Sequence, residues 1–277
     1  MRLGRFEISL HNHGTFRLDG GAMFGTVPKN LWSRKVEVDQ DNCVQLGTNS
    51  LLIRDDKRVF LVDTGMGDKW GEKERRIYDI RPTPESELGF ERGEVTDIIM
   101  SHLHFDHSGG LTRYQDAQLK ELDLCYPGAR LFLQKANYDT ASRPNLRERA
   151  SYLKENVCAV GRMETCFLEG DSELHPGISV HESSGHTRGM QWVKIRQAEA
   201  VIAYPADLMP TSHHVPLPYV MGYDLNVERL LEEKQSFLEQ AERENWIVVF
   251  EHDLNVPAAR IGRDERGHFS VKEPVEI

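Results

Sequence analysis

The segment Ser101-His102-Leu103-His104-Phe105-Asp106-His107-Ser108-Gly109-Gly110 places three imidazoles and a carboxylate within six residues, directly after apolar Ile98-Ile99-Met100. Imidazole and carboxylate are the donors chosen by borderline divalent ions such as zinc, manganese, iron and cobalt. Residues 95–101 read as a strand, and side chains two apart on extended backbone share a face, so His102 and His104 point the same way. If the chain turns into a helix near Asp106, that carboxylate and His107 swing toward a second position beside the first. One short segment can then feed two adjacent ions. The bland alternative, a solvated histidine-rich loop, is weakened by the donors that stand further along the chain.

A dinuclear site with open coordination positions needs more donors than this cluster holds. Three candidates stand at the ends of expected strands, where loops converge to build sites. His186 lies in the turn Ser183-Ser184-Gly185-His186-Thr187-Arg188-Gly189, after a strand at 178–182. Asp207 follows a strand at 200–204, and His252 follows the apolar run 246–250 in Phe250-Glu251-His252-Asp253.

Around these points the chain reads as mixed α and β. Residues 7–10 form a first strand. The glycines and Pro28 of 20–32 forbid a regular element, yet that segment carries Met23, Phe24 and Trp32. Residues 43–54 and 58–63 pair as a hairpin about Asp55-Asp56-Lys57, ending in Asp63-Thr64-Gly65. A buried strand at 129–135 precedes a mostly helical stretch, 136–154, that contains Pro144. Strands at 178–182, 192–196 and 200–204 follow. Residues 226–244 show a helical stripe of Leu230, Leu231, Phe237, Leu238 and Ala241, with Asn226 as N-cap. A hairpin about Glu265-Arg266-Gly267 closes the chain. This order suggests two sheets packed face to face with helices outside, in a single domain.

Composition narrows the function. The chain has 277 residues, 39% hydrophobic and 28% charged, which is ordinary for a globular protein. A net charge of −10 argues against a nucleic-acid partner. Apolar runs such as 246–250 fall far short of the roughly 20 residues that cross a bilayer. The start, Met1-Arg2-Leu3-Gly4-Arg5-Phe6-Glu7, shows no secretory signal, so no membrane partner and a cytoplasmic address are expected. Cys43, Cys125, Cys158 and Cys166 form no CxxC pair and read as free thiols.

The pattern HxHxDH followed by His, Asp and His resembles the metallo-β-lactamase superfamily of hydrolases. Asp63-Thr64-Gly65 and Gly185-His186-Thr187 match that family's motifs, and the resemblance runs from about Asn49 to His252. It implies an αβ/βα sandwich of two mixed sheets flanked by helices, with the site at their rim. It implies that His102, His104 and His186 hold one divalent ion, that Asp106, His107 and His252 hold the other, and that Asp207 bridges them. Zinc is the first expectation for both ions, with manganese, iron or cobalt as alternatives. The implied chemistry is attack of a metal-activated hydroxide on a small ester-like substrate, a lactone foremost, with Asp106 and then Asp207 as proton carriers. Asp63 is a candidate partner for the outer nitrogen of a ligand histidine. Residues 20–32 look like the lead-in of lactonase-like and phosphotriesterase-like members.

One departure matters. Quorum-quenching lactonases place a tyrosine three residues past the bridging Asp, where this chain has Pro210. The alternatives are a glyoxalase II-like thioester hydrolase, whose basic C-terminal segment residues 258–277 lack, and a phosphotriester hydrolase. Antibiotic hydrolysis fits poorly without a signal, a nuclease fits poorly with the acidic balance, and a sulfur dioxygenase would use a single iron. A non-catalytic metal-binding protein is the contrasting class. His11, His13, His213 and His214 are placed outside the ligand set, the first two as surface or lid histidines. Met23, Phe24, Trp32, Tyr219, Met221 and Tyr223 either cover the core or line an apolar pocket. Residues 11–42 are expected to form a lid or dimer contact, which leaves a homodimer open.

Overall fold

The computed structural model describes residues 1–116, 118 and 120–277. Among these, the strands form an eight-stranded sheet, a seven-stranded sheet and a two-stranded ribbon. In the first sheet Arg2–Leu3, Phe6–Asp19, Cys43–Arg54, Val59–Val62, Asp97–Ile99, Arg130–Gln134 and Glu164–Leu168 lie side by side in that order, and Arg81–Pro82 joins Phe6–Asp19. The second runs in chain order through Ser172–His175, Ile178–Ser183, Met190–Gln197, Ala200–Tyr204, Ile247–Val249, Ala258–Arg263 and Phe269–Pro274. Thr112–Asp116 and Glu121–Leu124 make the ribbon.

The alternation of side chains along the central strands sorts the core. Leu51, Ile53, Phe60, Val62 and Ile99 pack with Ile178, Val180, Val193, Ile195, Ile202 and Val248 from the other sheet. Their neighbours in sequence, Leu52, Leu61, Ile98 and Met100, face away, onto Leu103, Leu111, Tyr152, Ala159 and Val160. Strands covered on both faces read as continuous apolar runs, which is what residues 98–100 are. This is the αβ/βα sandwich expected.

The site's position follows from strand direction. Val59–Val62, Asp97–Ile99 and Arg130–Gln134 are parallel, so their C-terminal ends share one rim. Ile178–Ser183, Ala200–Tyr204 and Ile247–Val249 likewise run alike and end together. Hydrogen bonds fasten the two rims to each other. Gln191 donates its backbone N–H to Ser101 O and its Nε2 to Met100 O, each at 2.9 Å. Asn49 Nδ2 donates to Phe250 O at 3.1 Å and Asp253 O at 2.8 Å.

Three expectations need correction. Residues 136–154 are not one helix: Lys135–Ser142 is helical, and the chain leaves it before Pro144. Asn145 Oδ1 then accepts from the N–H groups of Arg147 (2.9 Å) and Glu148 (3.0 Å), a local bond that competes with helix. Residues 20–32 do hold regular elements, the short helices Gly20–Phe24 and Lys29–Trp32, the first capped by Asp19 Oδ1 on Ala22 N at 2.8 Å. The first strand runs on to Asp19, through a register shift between Asn12 and Thr15 where Gly14 takes φ +140°.

The long helix Val227–Arg243 is as expected, with Asn226 accepting from Arg229 N at 3.1 Å. Lys234 sits inside its apolar face, fully buried. Its Nζ donates to the carbonyls of Pro216 (3.0 Å), Leu217 (3.4 Å) and Tyr219 (2.8 Å), and burial pulls its pKa down to about 7. Lys234→Met would leave those carbonyls without their donor. We expect it to lower stability by about 1–3 kcal/mol, read from the urea midpoint.

Candidate metal centre

The histidine cluster is held by its backbone. Beyond Asp97–Ile99, Met100 N still bonds Phe132 O at 3.0 Å. Ser101 then turns to Asp63, giving its N–H to Oδ1 (2.7 Å) and its hydroxyl to Oδ2 (2.6 Å). Asp63 itself adopts φ +58°, a conformation a non-glycine residue holds only when its surroundings demand it. The chain next makes a single helical turn, Phe105–Ser108, which carries Asp106 and His107 to a position beside His102 and His104.

The structure brings all the predicted residues together, and all are buried. Donor atoms of His102, His104, His186 and Asp207 lie within 4.8 Å of one another, and those of Asp106, His107 and His252 do the same. His104 Nδ1 stands 3.0 Å from His102 Nε2 and 3.2 Å from His186 Nε2. Asp207 reaches both groups: Oδ2 is 3.1 Å from His186 Nε2 and 3.5 Å from His107 Nε2, and Oδ1 is 3.3 Å from His252 Nε2. Asp106 lies 3.9 Å from His107 Nε2 and 3.7 Å from His252 Nε2.

The outer ring nitrogens decide what the inner ones offer. His186 Nδ1 faces Asp224 Oδ1 at 2.9 Å, His252 Nδ1 faces Gly47 O at 2.7 Å, and His102 Nδ1 faces Ser101 Oγ at 3.1 Å. His107 Nδ1 faces Asp63 Oδ2 at 3.0 Å, the role expected of Asp63, and Glu251 Oε2 at 2.8 Å. His104 turns its Nε2 toward Glu148 Oε1 at 3.8 Å, and Glu148 is itself held by the Thr187 hydroxyl. With protons on the outer nitrogens, the inner ones present lone pairs to each other. His107 Nε2, His252 Nε2 and Asp207 Oδ1 accordingly have no hydrogen-bond partner among the described residues. Buried lone pairs converging without a donor fit cations, so the residues present suit a pair of divalent ions.

Asp224, Glu148 and Glu251 were not anticipated from the sequence. Each is an ordinary carboxylate in a loop; Glu251 alone carried a hint, by adjoining His252.

Charge points the same way. Burial would raise Asp207, but the His186 and His107 imidazoles outweigh it and hold it well below the usual carboxylate range. Burial would lower His252, yet the Asp207 carboxylate beside it lifts it to about 9. Metal-free, the site therefore carries protons that ligand imidazoles must shed. At pH 7, loading should release protons, and apparent metal affinity should rise with pH through about 9 and level off only above it, once His252 has lost its proton. Calorimetry in buffers of different ionisation enthalpy reads this; a proton count of zero at pH 7 would contradict it.

These donors open onto a cavity of about 220 Å³ walled by Leu18, Met23, Phe105, Met221 and Tyr223, with Tyr78 and Arg147 also on its lining. Met23 and Met221 thus serve both core and cleft, whereas Phe24 stacks on Trp32 with ring centres 5.0 Å apart. Pro210 places no phenol here; its carbonyl accepts from His252 N at 2.9 Å. Tyr223 reaches the cavity instead, on a segment that Arg147 clamps through the carbonyls of Gly222 and Asp224. The remaining histidines stay outside the ligand groups. His214 stacks on Phe24 and bonds Met23 O at 2.8 Å, and His213 lines a neighbouring cavity. His11, half-buried, bonds Leu88 O at 2.7 Å; His13 is buried against Phe90, so it is not a surface residue.

The metallo-beta-lactamase superfamily model matches residues 44–252. The chain belongs to this superfamily. As a member, it is a metal-dependent hydrolase. An N-acyl homoserine lactonase of Bacillus cereus is 26% identical to it over 231 residues, covering 77% of this chain and 84% of that protein. The crystal structure of "a probable metal-dependent hydrolase" from Staphylococcus aureus superposes with a TM-score of 0.88 at 26% identity, covering 99% of this chain and 100% of that one. AidC, a dizinc quorum-quenching lactonase solved with its product, shares the fold at 20% identity (TM-score 0.78), with 100% of this chain and 97% of that chain covered. Among the described residues the four cysteines are free, and no helix is long and apolar enough to cross a membrane.

Proposed function

We propose that this superfamily member opens lactones, N-acyl homoserine lactones first among them, on a dinuclear zinc centre. In this reading His102, His104 and His186 would hold one ion and Asp106, His107 and His252 the other, with Asp207, which reaches both groups, serving the two. The observation that carries it is the union of inward-facing, unpartnered donors with an apolar-walled cleft directly above them. The N-acyl homoserine lactonase relatives support the choice of substrate.

When bound, the ions supply Lewis acidity toward a carbonyl oxygen and a water of lowered pKa. The protein's own groups do the rest. Leu18, Met23, Phe105 and Met221 exclude water and seat an acyl chain. Asp106, on the cleft lining, takes the proton of the incoming water and returns it to the leaving alkoxide. One carbon–oxygen bond forms, the ring ester bond breaks, and a hydroxy acid leaves. Tyr223 donates from the wall to a substrate oxygen, the task for which Pro210 offers nothing.

Zinc-loaded protein assayed against N-acyl homoserine lactones of several chain lengths, a thioester and a phosphotriester tests this. Acid release should be fastest with the lactones and abolished by chelation. Two bound equivalents without turnover on any substrate would favour a metal-binding role and overturn the reading.

A further inference from the structure

His107 is gripped unlike its neighbours. His186, His252 and His102 each turn the outer nitrogen to a single close acceptor, whereas His107 Nδ1 meets two carboxylates, Asp63 Oδ2 at 3.0 Å and Glu251 Oε2 at 2.8 Å. Asp63 has other work, since it accepts the Ser101 N–H and hydroxyl. Glu251 does not. It is 1% exposed, and apart from this ion-pair contact neither of its oxygens has a hydrogen-bond partner among the described residues. A carboxylate buried without donors is costly unless a positive charge lies near. The other side of the same ring, His107 Nε2, faces Asp106 and Asp207 at the second ion position.

We propose that Glu251 is a positioning residue that, with Asp63, polarises His107 and so strengthens retention of the ion at Asp106, His107 and His252. Two carboxylates drawing on one N–H push electron density to the opposite nitrogen and add negative potential behind it. The first position is not served this way: His186 leans on Asp224, and His104 on Glu148. Glu251 therefore makes the two ion positions unequal. The inference rests on the dinuclear reading above.

Zinc titration of apo protein against a competing chelator tests it, with folding followed by circular dichroism. Wild type should bind two equivalents. Glu251→Gln should weaken one of them by about 10–100-fold and leave the other at its wild-type affinity. Asp224→Asn should also weaken one, and the double variant should weaken both, because the two changes act on different ions. Glu251→Met, an apolar residue of similar length that removes the buried charge, gives the same expectation should the glutamine variant fold poorly. Unchanged affinity in the Glu251 variants overturns the proposal, and so does equal loosening of both equivalents, which would mark a purely structural role. Fewer than two equivalents in wild type would instead bring down the dinuclear reading itself.

Discussion

Asp207→Ala is expected to lower kcat/KM for lactone opening by at least about 10³-fold, or ~4 kcal/mol of barrier. Asp207 stands within 3.1–3.8 Å of His186, His107, His252 and His102, so it alone of the predicted ligands addresses every other imidazole but His104. Two cations a few ångström apart repel strongly in a buried site, and a shared anion between them is what offsets that repulsion. Removing it should therefore cost bound metal as well as rate. Metal analysis and lactone assays on one preparation measure both. A variant that keeps two equivalents and wild-type turnover would deny Asp207 its bridging role.

Gly109→Ala should be nearly as damaging, through space alone. The backbone there is ordinary right-handed, so no conformational preference is at stake. A Cβ on Gly109, however, would lie 1.9 Å from Met66 O, and one on Gly110 would lie 2.1 Å from Thr64 O. Both clashes are with backbone, which cannot swing aside. The strand end at Asp63 and the turn bearing Asp106 and His107 touch through these glycines, so a methyl must push them apart. We expect a loss of about 3 kcal/mol, at the upper end for overpacking, together with weaker metal retention. An unshifted denaturation midpoint would refute the close approach.

The candidate ligands were legible because metal chemistry uses few residue types, and the histidines and aspartates concerned cluster at strand ends. Their supports were not, because a carboxylate that orients an imidazole across the fold leaves no local pattern; Asp224 stands 38 residues along the chain from His186, and Glu148 is likewise remote from His104. The hairpin Cys43–Arg54 with Val59–Val62 and the helix Val227–Arg243 were legible from period and caps. Residues 136–154 misled because polar residues of good helix propensity surround Pro144, while the side chain of Asn145 decides the matter locally. Lys234 ran against the apolar stripe because its three acceptors come from a loop that periodicity does not see.

The rim staple made by Asn49 bears on how the protein comes into being. Synthesis delivers His102 through His107 long before His252, and the loop bearing His252 is seated only when Asn49 and Gly47 bind its backbone. Until the C-terminal strands close, the emerging chain holds only part of the donor set, so both groups are complete only once residues 250–253 are fastened to Gly47 and Asn49.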